Sequence, residues 1–395
     1  MNILFFTDSD LSPYTGGIER VTINLVKELK KLGHSCYLGF FKSCQVQPCE
    51  DFTRKFMLNP KTHTQQLEDI LHDYNISTCI NNVSSKQYLQ FFSESLYRIT
   101  RKIGNIKVIF GFYNIPGYEL FGVPLSLGLY RLSHGQFNSN TINGMLATIC
   151  KRIHCDWWIK KRISKKLAWG LYADEIVLLS ERYIPLYKQF IGEQLTPSIS
   201  AIGNPLSYES NINKNLIPNK KKTVIQIARF DDNFKRQTTA LKIWKIIEDS
   251  GRFDEWKFLM IGYGQDEKYI KDTAKSLKLQ HVEFQGMQDP QINLTHASIY
   301  MMTSAFEGLP MILLDAQQFG VVPIAFDCFE SIYDIITNKH NGIIIPANQH
   351  GQYAESLMWL MDNPTSRKTM ALNGLDSCQR YRKDKIVQQW INVMQ

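Results

Sequence analysis

Short apolar runs alternate with amphipathic stretches along the second half of the chain, and this two-beat rhythm is what a parallel sheet covered by helices imposes on sequence. Thr223-Val-Ile-Gln-Ile-Ala228 reads as a buried strand, and Phe258-Leu-Met-Ile-Gly-Tyr-Gly264 as a second one ending in two glycines. A charged helix from Asp266 to about Leu277, a short strand at Val282 to Phe284 and a strand at Ile299 to Met302 follow. The next helix has Met311, Ile312, Leu314 and Phe319 on its buried side. The N-terminus repeats the plan: a strand at Asn2 to Phe6 runs towards a helix carrying Ile18, Val21, Leu25, Leu29 and Leu32 on one face. With 395 residues the chain exceeds one typical domain and supports two cores. The boundary is expected between Asn204-Pro205 and Lys222, because Asn211 to Lys222 is rich in turn formers and cations and poor in core residues. The fold class is α/β, with two Rossmann-like domains.

Residues able to do chemistry gather at the expected strand ends. Glu307 and Asp315 lie eight positions apart, the first in a loop and the second on the following helix, with Gly308 and Pro310 where the strand hands over to that helix. Unpaired backbone N–H groups and a positive dipole end would face an anion there. An ordinary βα unit with incidental acids is the other reading. Upstream, Arg229 and Lys235 flank the end of another strand, with Arg236 beside them. Fixed cations at such an edge suit a phosphate, whereas a solvated basic loop needs no ligand. Gly16-Gly17 opens the first helix, permitting either close backbone approach to a ligand or a plain tight turn. Gly262-Tyr-Gly264 lacks the third glycine of a dinucleotide fingerprint. Asp8-Ser-Asp10 is a DxD triplet in the loop after the first strand, without further hard oxygen ligands; it is read as coincidence, and no metal is expected.

Glu307, seven intervening residues and Asp315, with Gly308-Leu-Pro310 inside and Gly320-Val-Val-Pro323 just after, resemble the signature of retaining glycosyltransferases of family 4, also called glycosyl transferases group 1. The resemblance implies a GT-B fold: the two domains face each other across a cleft, and the C-terminal helix returns to the first. On that basis residues 1–205 are the acceptor-binding domain, 206–384 the nucleotide-sugar donor domain, and 385–395 the returning helix. It also implies roles. Arg229 and Lys235 would hold the diphosphate, and Glu307 would take hydrogen bonds from the donor sugar and stabilise positive character in the transition state. Gly308 and Leu309 would offer backbone donors, Asp315 the ribose contact, and Gly16, Gly17 and Gly262 close approach to the donor. Asp315 departs from the usual glutamate by one methylene. Tyr113, in Val108-Ile-Phe-Gly-Phe-Tyr113, occupies the position where the family presents a histidine to the acceptor. Phenol is a poor base near neutrality, so Tyr113, Asn114 and Glu119 are read as acceptor-positioning residues.

The resemblance thus implies a metal-independent hexosyl transfer from a nucleotide diphosphate sugar to a glycan or lipid-linked glycan hydroxyl in surface polysaccharide synthesis, with no cofactor besides the donor. A GT-B-shaped nucleotide-sugar epimerase and a catalytically silent binding subunit are the competing readings. Eight cysteines without CxxC pairs and an opening strand in place of a signal peptide point to a reducing, cytoplasmic setting. The net charge of +8 is unevenly spread. Residues 151–169 interleave Lys and Arg with Trp157, Trp158 and Trp169, which suits an anionic membrane surface, or else an exposed helix packed by its aromatics. No binding module accompanies the basic stretch, so nucleic acid is not an expected partner.

Overall fold

The computed structural model describes residues 1–13, 16–44, 46–104, 106–136, 139–152, 157–192, 197–209 and 212–395, without the side chains of residues 86, 87, 119, 121, 139 and 140. They form two compact units, one of Met1–Gly117, Trp157–Ser207 and Tyr381–Gln395, the other of Tyr118–Asp156 and Tyr208–Arg380.

Unit 1 is built on seven parallel strands: β1 (Asn2–Ser9), β2 (Ser35–Lys42), β3 (Arg54–Met57), β4 (Thr78–Asn81), β5 (Lys107–Phe112), β6 (Glu175–Leu178) and β7 (Ser198–Ala201). They lie in the order β3-β2-β1-β4-β5-β6-β7, so the strand order reverses between β1 and β4. Ile3 to Phe6 are all fully buried, as a central strand covered on both faces requires. The first helix, Gly17–Lys31, packs through Val21, Leu25, Val26 and Leu29, whereas Leu32 is its exposed C-cap and not part of the buried face. The last helix, Lys383–Met394, buries Ile386, Val387, Trp390 and Met394 and contacts the first.

Unit 2 has six parallel strands: β8 (Thr223–Ile227), β9 (Lys257–Ile261), β10 (Val282–Phe284), β11 (Ile299–Met302), β12 (Val322–Asp327) and β13 (Ile343–Pro346). Their order is β10-β9-β8-β11-β12-β13, with the reversal between β8 and β11. Both sheets are therefore doubly wound, and in such sheets ligands bind beyond the carboxyl ends of the two strands at which the order reverses.

One sequence expectation is corrected here. Residues 1–205 do not form one unit, because Tyr118–Asp156, inserted between β5 and β6, belongs to unit 2. The physical reason is Arg131, on the helix Leu125–Ser133, whose guanidinium is buried against Asp231 and Asp266. The stretch before Lys222 contributes little core, as expected. Ile212 and Ile217 are buried, and Gly320 leaves room for Ile217, whose side chain would stand 3.0 Å from a Cβ there.

Candidate functional site

The loop after β8 carries Arg229 and Lys235, and it is fixed from several sides. Phe230 N–H donates to the Tyr263 carbonyl (2.8 Å), Gln237 Nε2 to the Arg229 carbonyl (2.7 Å), and Ala305 N–H, from the loop after β11, to the Phe234 carbonyl (2.7 Å). Asp232 accepts from the Thr238 N–H and hydroxyl, both at 2.7 Å, which ties the loop to the helix Gln237–Asp249. Burial raises the Asp232 pKa, against these two hydrogen bonds. Arg236 turns the corner with φ +49°, a left-handed conformation uncommon outside glycine. A backbone so pinned presents its cations with little freedom left to lose on binding.

Glu307 stands in the facing loop, after β11. Its Oε1 is 2.5 Å from Lys235 Nζ, and the two side chains are 14% and 24% exposed. The pair spans the sheet's switch point, because β8 and β11 are the adjacent strands between which the order reverses. Arg229 lies on the same loop with its side chain 66% exposed, paired through Nη2 with Asp231 Oδ2 at 3.1 Å. Gly308 and Leu309 follow Glu307 in the loop, and Pro310 is the N-cap of the helix Met311–Gln318.

Two of the expected donor residues have structural demands of their own. Gly262 has φ +138°, and a Cβ there would fall 2.0 Å from the Ala228 carbonyl oxygen; a Cβ on Gly264 would fall 2.3 Å from that of Phe230. The Gly-x-Gly thus lets the loops after β8 and β9 nest. Asp315 is 1% exposed, with both carboxylate oxygens sealed from solvent. The ribose contact expected of it is therefore not on display. Its charge is felt instead by buried Tyr300, whose phenol is pushed up chiefly by burial, then by Glu307, with Asp315 adding to this.

The remaining expected residues divide between the units. Tyr113 and Asn114 follow β5 in unit 1, whereas the backbone of Glu119 lies in a 3-10 turn, Tyr118–Phe121, of unit 2; the Glu119 side chain is outside the described residues. Tyr113 lies against Asn82, over Gly111, whose missing side chain makes the space. Burial raises the Tyr113 pKa and the Asn82 contact partly offsets this, so even less phenolate is available near neutrality to serve as a base. Asn114 Oδ1 is engaged locally by the Ile115 N–H at 2.9 Å. Gly16 caps the first helix in extended backbone (φ −160°), and Gly17 has open space where a Cβ would sit, so neither residue takes the conformation of a tight turn that needs glycine. Tyr14 and Thr15 lie outside the described residues. In the DxD triplet, Asp8 accepts from the Ser84 and Ser85 backbone N–H groups and Asp10 pairs with Lys55 at 3.0 Å, and the described residues contain no cluster of three candidate metal ligands.

Of the basic aromatic stretch, residues 153–156 are outside the description. The helix Trp157–Leu167 packs by Ile159, Ile163 and Leu167 with Trp158 half-buried, leaving Lys160, Lys161, Arg162 and Lys165 exposed and Trp157 66% exposed. No helix among the described residues is long and apolar enough to cross a membrane.

Sequence reasoning missed Arg131 and Asn82. Nothing in the sequence around Arg131 distinguishes it from a solvent-facing cation, since its partners, Asp231 and Asp266, are about a hundred residues and more away. Asn81-Asn82 was in principle visible as a polar pair ending an apolar strand.

The profile of the family described as glycosyl transferases group 1 matches residues 207–376, which make up most of unit 2. The chain is 25% identical over 229 residues to an uncharacterized glycosyltransferase of Haemophilus influenzae, covering 56% of this chain and 61% of that protein. It is 24% identical over 241 residues to the amylovoran biosynthesis glycosyltransferase AmsD of Erwinia amylovora, covering 58% and 64%. Against a Campylobacter jejuni α-1,4-N-acetyl-D-galactosaminyltransferase named for a diNAcBac-PP-undecaprenol glycan, the identity is 22% over 239 residues, covering 60% and 63%. The chain thus spans a little under two thirds of the length of these relatives. Among solved structures, Anabaena Alr3699/HepE in complex with UDP superposes with a TM-score of 0.69 at 15% identity, over 100% of this chain and 99% of that one. The fold is that of the GT-B glycosyltransferases, and residues 207–376 are similar to the glycosyl transferases group 1 family.

Proposed function

We propose that the chain transfers a hexosyl unit from a nucleotide diphosphate sugar to a hydroxyl of a glycan, lipid-linked, in the synthesis of a surface polysaccharide, with retention at the anomeric carbon. The observation that carries the reading is the Lys235–Glu307 pair at the unit 2 switch point, with Arg229 on the same pinned loop. Relatives named for amylovoran synthesis and for an undecaprenol-linked glycan support the substrate class, and the neighbour with bound UDP supports the donor class.

In this reading Arg229 and Lys235 hold the diphosphate and stabilise the negative charge that grows on it as the bond from the anomeric carbon to phosphate oxygen breaks. Glu307 takes hydrogen bonds from sugar hydroxyls and offsets the positive character at the anomeric carbon. Gly308 and Leu309 offer N–H groups to the donor, and Gly16 and Gly17, at the start of a 15-residue helix, allow close approach to it. The acceptor oxygen bonds to the anomeric carbon on the face the phosphate leaves. Its proton passes to the departing phosphate oxygen, so Tyr113 and Asn114, with Glu119 as a helper, position the acceptor without serving as base. The exposed cations of the helix Trp157–Leu167 bring the enzyme to an anionic membrane face, on the cytoplasmic side.

The test is to screen nucleotide sugars for thermal stabilisation and then to incubate the stabilising donor with undecaprenol-linked glycans. Release of nucleoside diphosphate together with a lengthened glycan is expected. A donor that is isomerised without release of nucleoside diphosphate would instead mark an epimerase, and tight donor binding without turnover across the acceptor panel a silent subunit.

A further inference from the structure

We infer that Arg131, outside the family-matched region, is a positioning residue for Arg229: it holds one oxygen of Asp231 so that the other faces the Arg229 guanidinium. The inference rests on the proposed function, because Arg229 needs aiming only if it meets an anion.

Arg131 sits on a fixed base. Its Nε and Nη2 donate to Asp266 Oδ1 and Oδ2 at 2.9 and 2.6 Å, a two-point fork, and Asp266 Oδ2 also accepts from the Asp232 N–H at 2.8 Å. From there Nη2 reaches Asp231 Oδ1 at 3.1 Å, while Arg229 Nη2 takes Asp231 Oδ2, also at 3.1 Å. Arg131, Asp231 and Asp266 are at most 4% exposed as residues. The Arg229 side chain is 66% exposed, so its aim depends on the carboxylate it leans on.

Neighbouring contacts keep the insert in place on the same edge of the sheet. Gln136 Nε2 donates to the Gln265 carbonyl at 2.9 Å, and the Tyr130 and Tyr269 rings lie 4.6 Å apart. Tyr118 packs on Phe306, next to Glu307, with ring centroids 6.2 Å apart. The insert therefore reaches both loops that carry the proposed catalytic residues. A guanidinium can hold Asp266 in a fork and still reach Asp231; an ammonium of equal charge cannot hold both in that geometry.

The test is a cycle in the full chain, with UDP, GDP and ADP as calorimetric probes and thermal unfolding as the control for folding. Arg131→Lys is expected to weaken binding of the preferred diphosphate about tenfold and to raise donor KM more than it changes acceptor KM. In an Arg229→Ala background the same substitution is expected to have no further effect, because its influence passes through Arg229. Asp231→Asn, which keeps the shape and removes the shared charge, is expected to behave likewise and serves if Arg131→Lys does not fold. Equal losses with and without Arg229 overturn the role of Arg131 and leave the proposed function standing. Wild-type protein that binds none of the three diphosphates overturns both.

Discussion

Lys235 Nζ and Glu307 Oε1 meet at 2.5 Å across the two loops that leave β8 and β11, the strands at which the unit 2 sheet reverses its order. The two charges form an ion pair, and both side chains remain partly open to solvent. A ligand bearing phosphate and sugar hydroxyls can therefore take over the two groups without entering the core. Glu307→Ala and Lys235→Ala are each expected to lower the turnover of the stabilising donor by about a hundred- to a thousandfold, the scale of losing one charge-stabilising group. Circular dichroism should show both variants folded. Normal turnover in either one removes that residue from the proposed site.

Asp315 separates a ligand contact from a structural charge. It is sealed from solvent, and its field reaches Tyr300, whose hydroxyl donates to the Ile227 carbonyl at the end of β8. Asp315→Asn keeps the volume and removes the charge. If the carboxylate holds the ribose, diphosphate affinity is expected to fall about tenfold with a small change in melting temperature. A large change in melting temperature with unchanged affinity assigns Asp315 to the scaffold.

Much of unit 2 was legible because its elements are local. The strands Val282–Phe284 and Ile299–Met302 have their expected bounds, β8 ends one residue before the expected run does, and β9 ends at Ile261, three residues short of Gly264; buried parallel strands are continuous apolar segments flanked by glycine or charge. Glu307, Gly308 and Pro310 stood out for the same reason: they sit where one element must end and the next begin. The insert Tyr118–Asp156 was not legible. Its allegiance to unit 2 is set by Arg131 meeting Asp231 and Asp266, a match of buried charges far apart in sequence, and no periodicity in the helix Leu125–Ser133 encodes that. Gly262 was legible as a glycine worth noticing but not for the contact seen here, a carbonyl on a neighbouring loop.

Lys220 makes stability depend on pH. Its ammonium donates to the Leu294 and Thr295 carbonyls at 2.8 and 3.2 Å, near the end of the helix Pro290–His296, and burial lowers its pKa from 10.5 to about 7. Between about pH 7 and 10.5 the unfolded chain therefore holds more protons than the folded one, so stability rises with pH across that window, and below pH 7 the cost of burying the charge is fully present. Chemical denaturation of wild type and Lys220→Met is expected to show the difference moving in favour of wild type from pH 7 to 10, by on the order of a few kcal/mol. A difference that stays flat across this range means the ammonium is charged throughout.

The helix Trp157–Leu167 tests the membrane half of the proposed function. Its buried face is Ile159, Ile163 and Leu167, so Lys160, Lys161 and Lys165 are not needed for packing, and Trp157 stands exposed at its start. Lysines near an anionic bilayer contribute about 1 kcal/mol each, and the attraction is screened by salt. Replacing Lys160, Lys161, Lys165 and Lys166 with Gln is expected to cut co-sedimentation with phosphatidylglycerol vesicles at least tenfold at low salt and to leave turnover on a short soluble acceptor unchanged. Binding to neutral vesicles should be weak for both proteins. If the variant partitions with anionic vesicles as wild type does, the basic face is a solvated surface and the acceptor must be reached by other means.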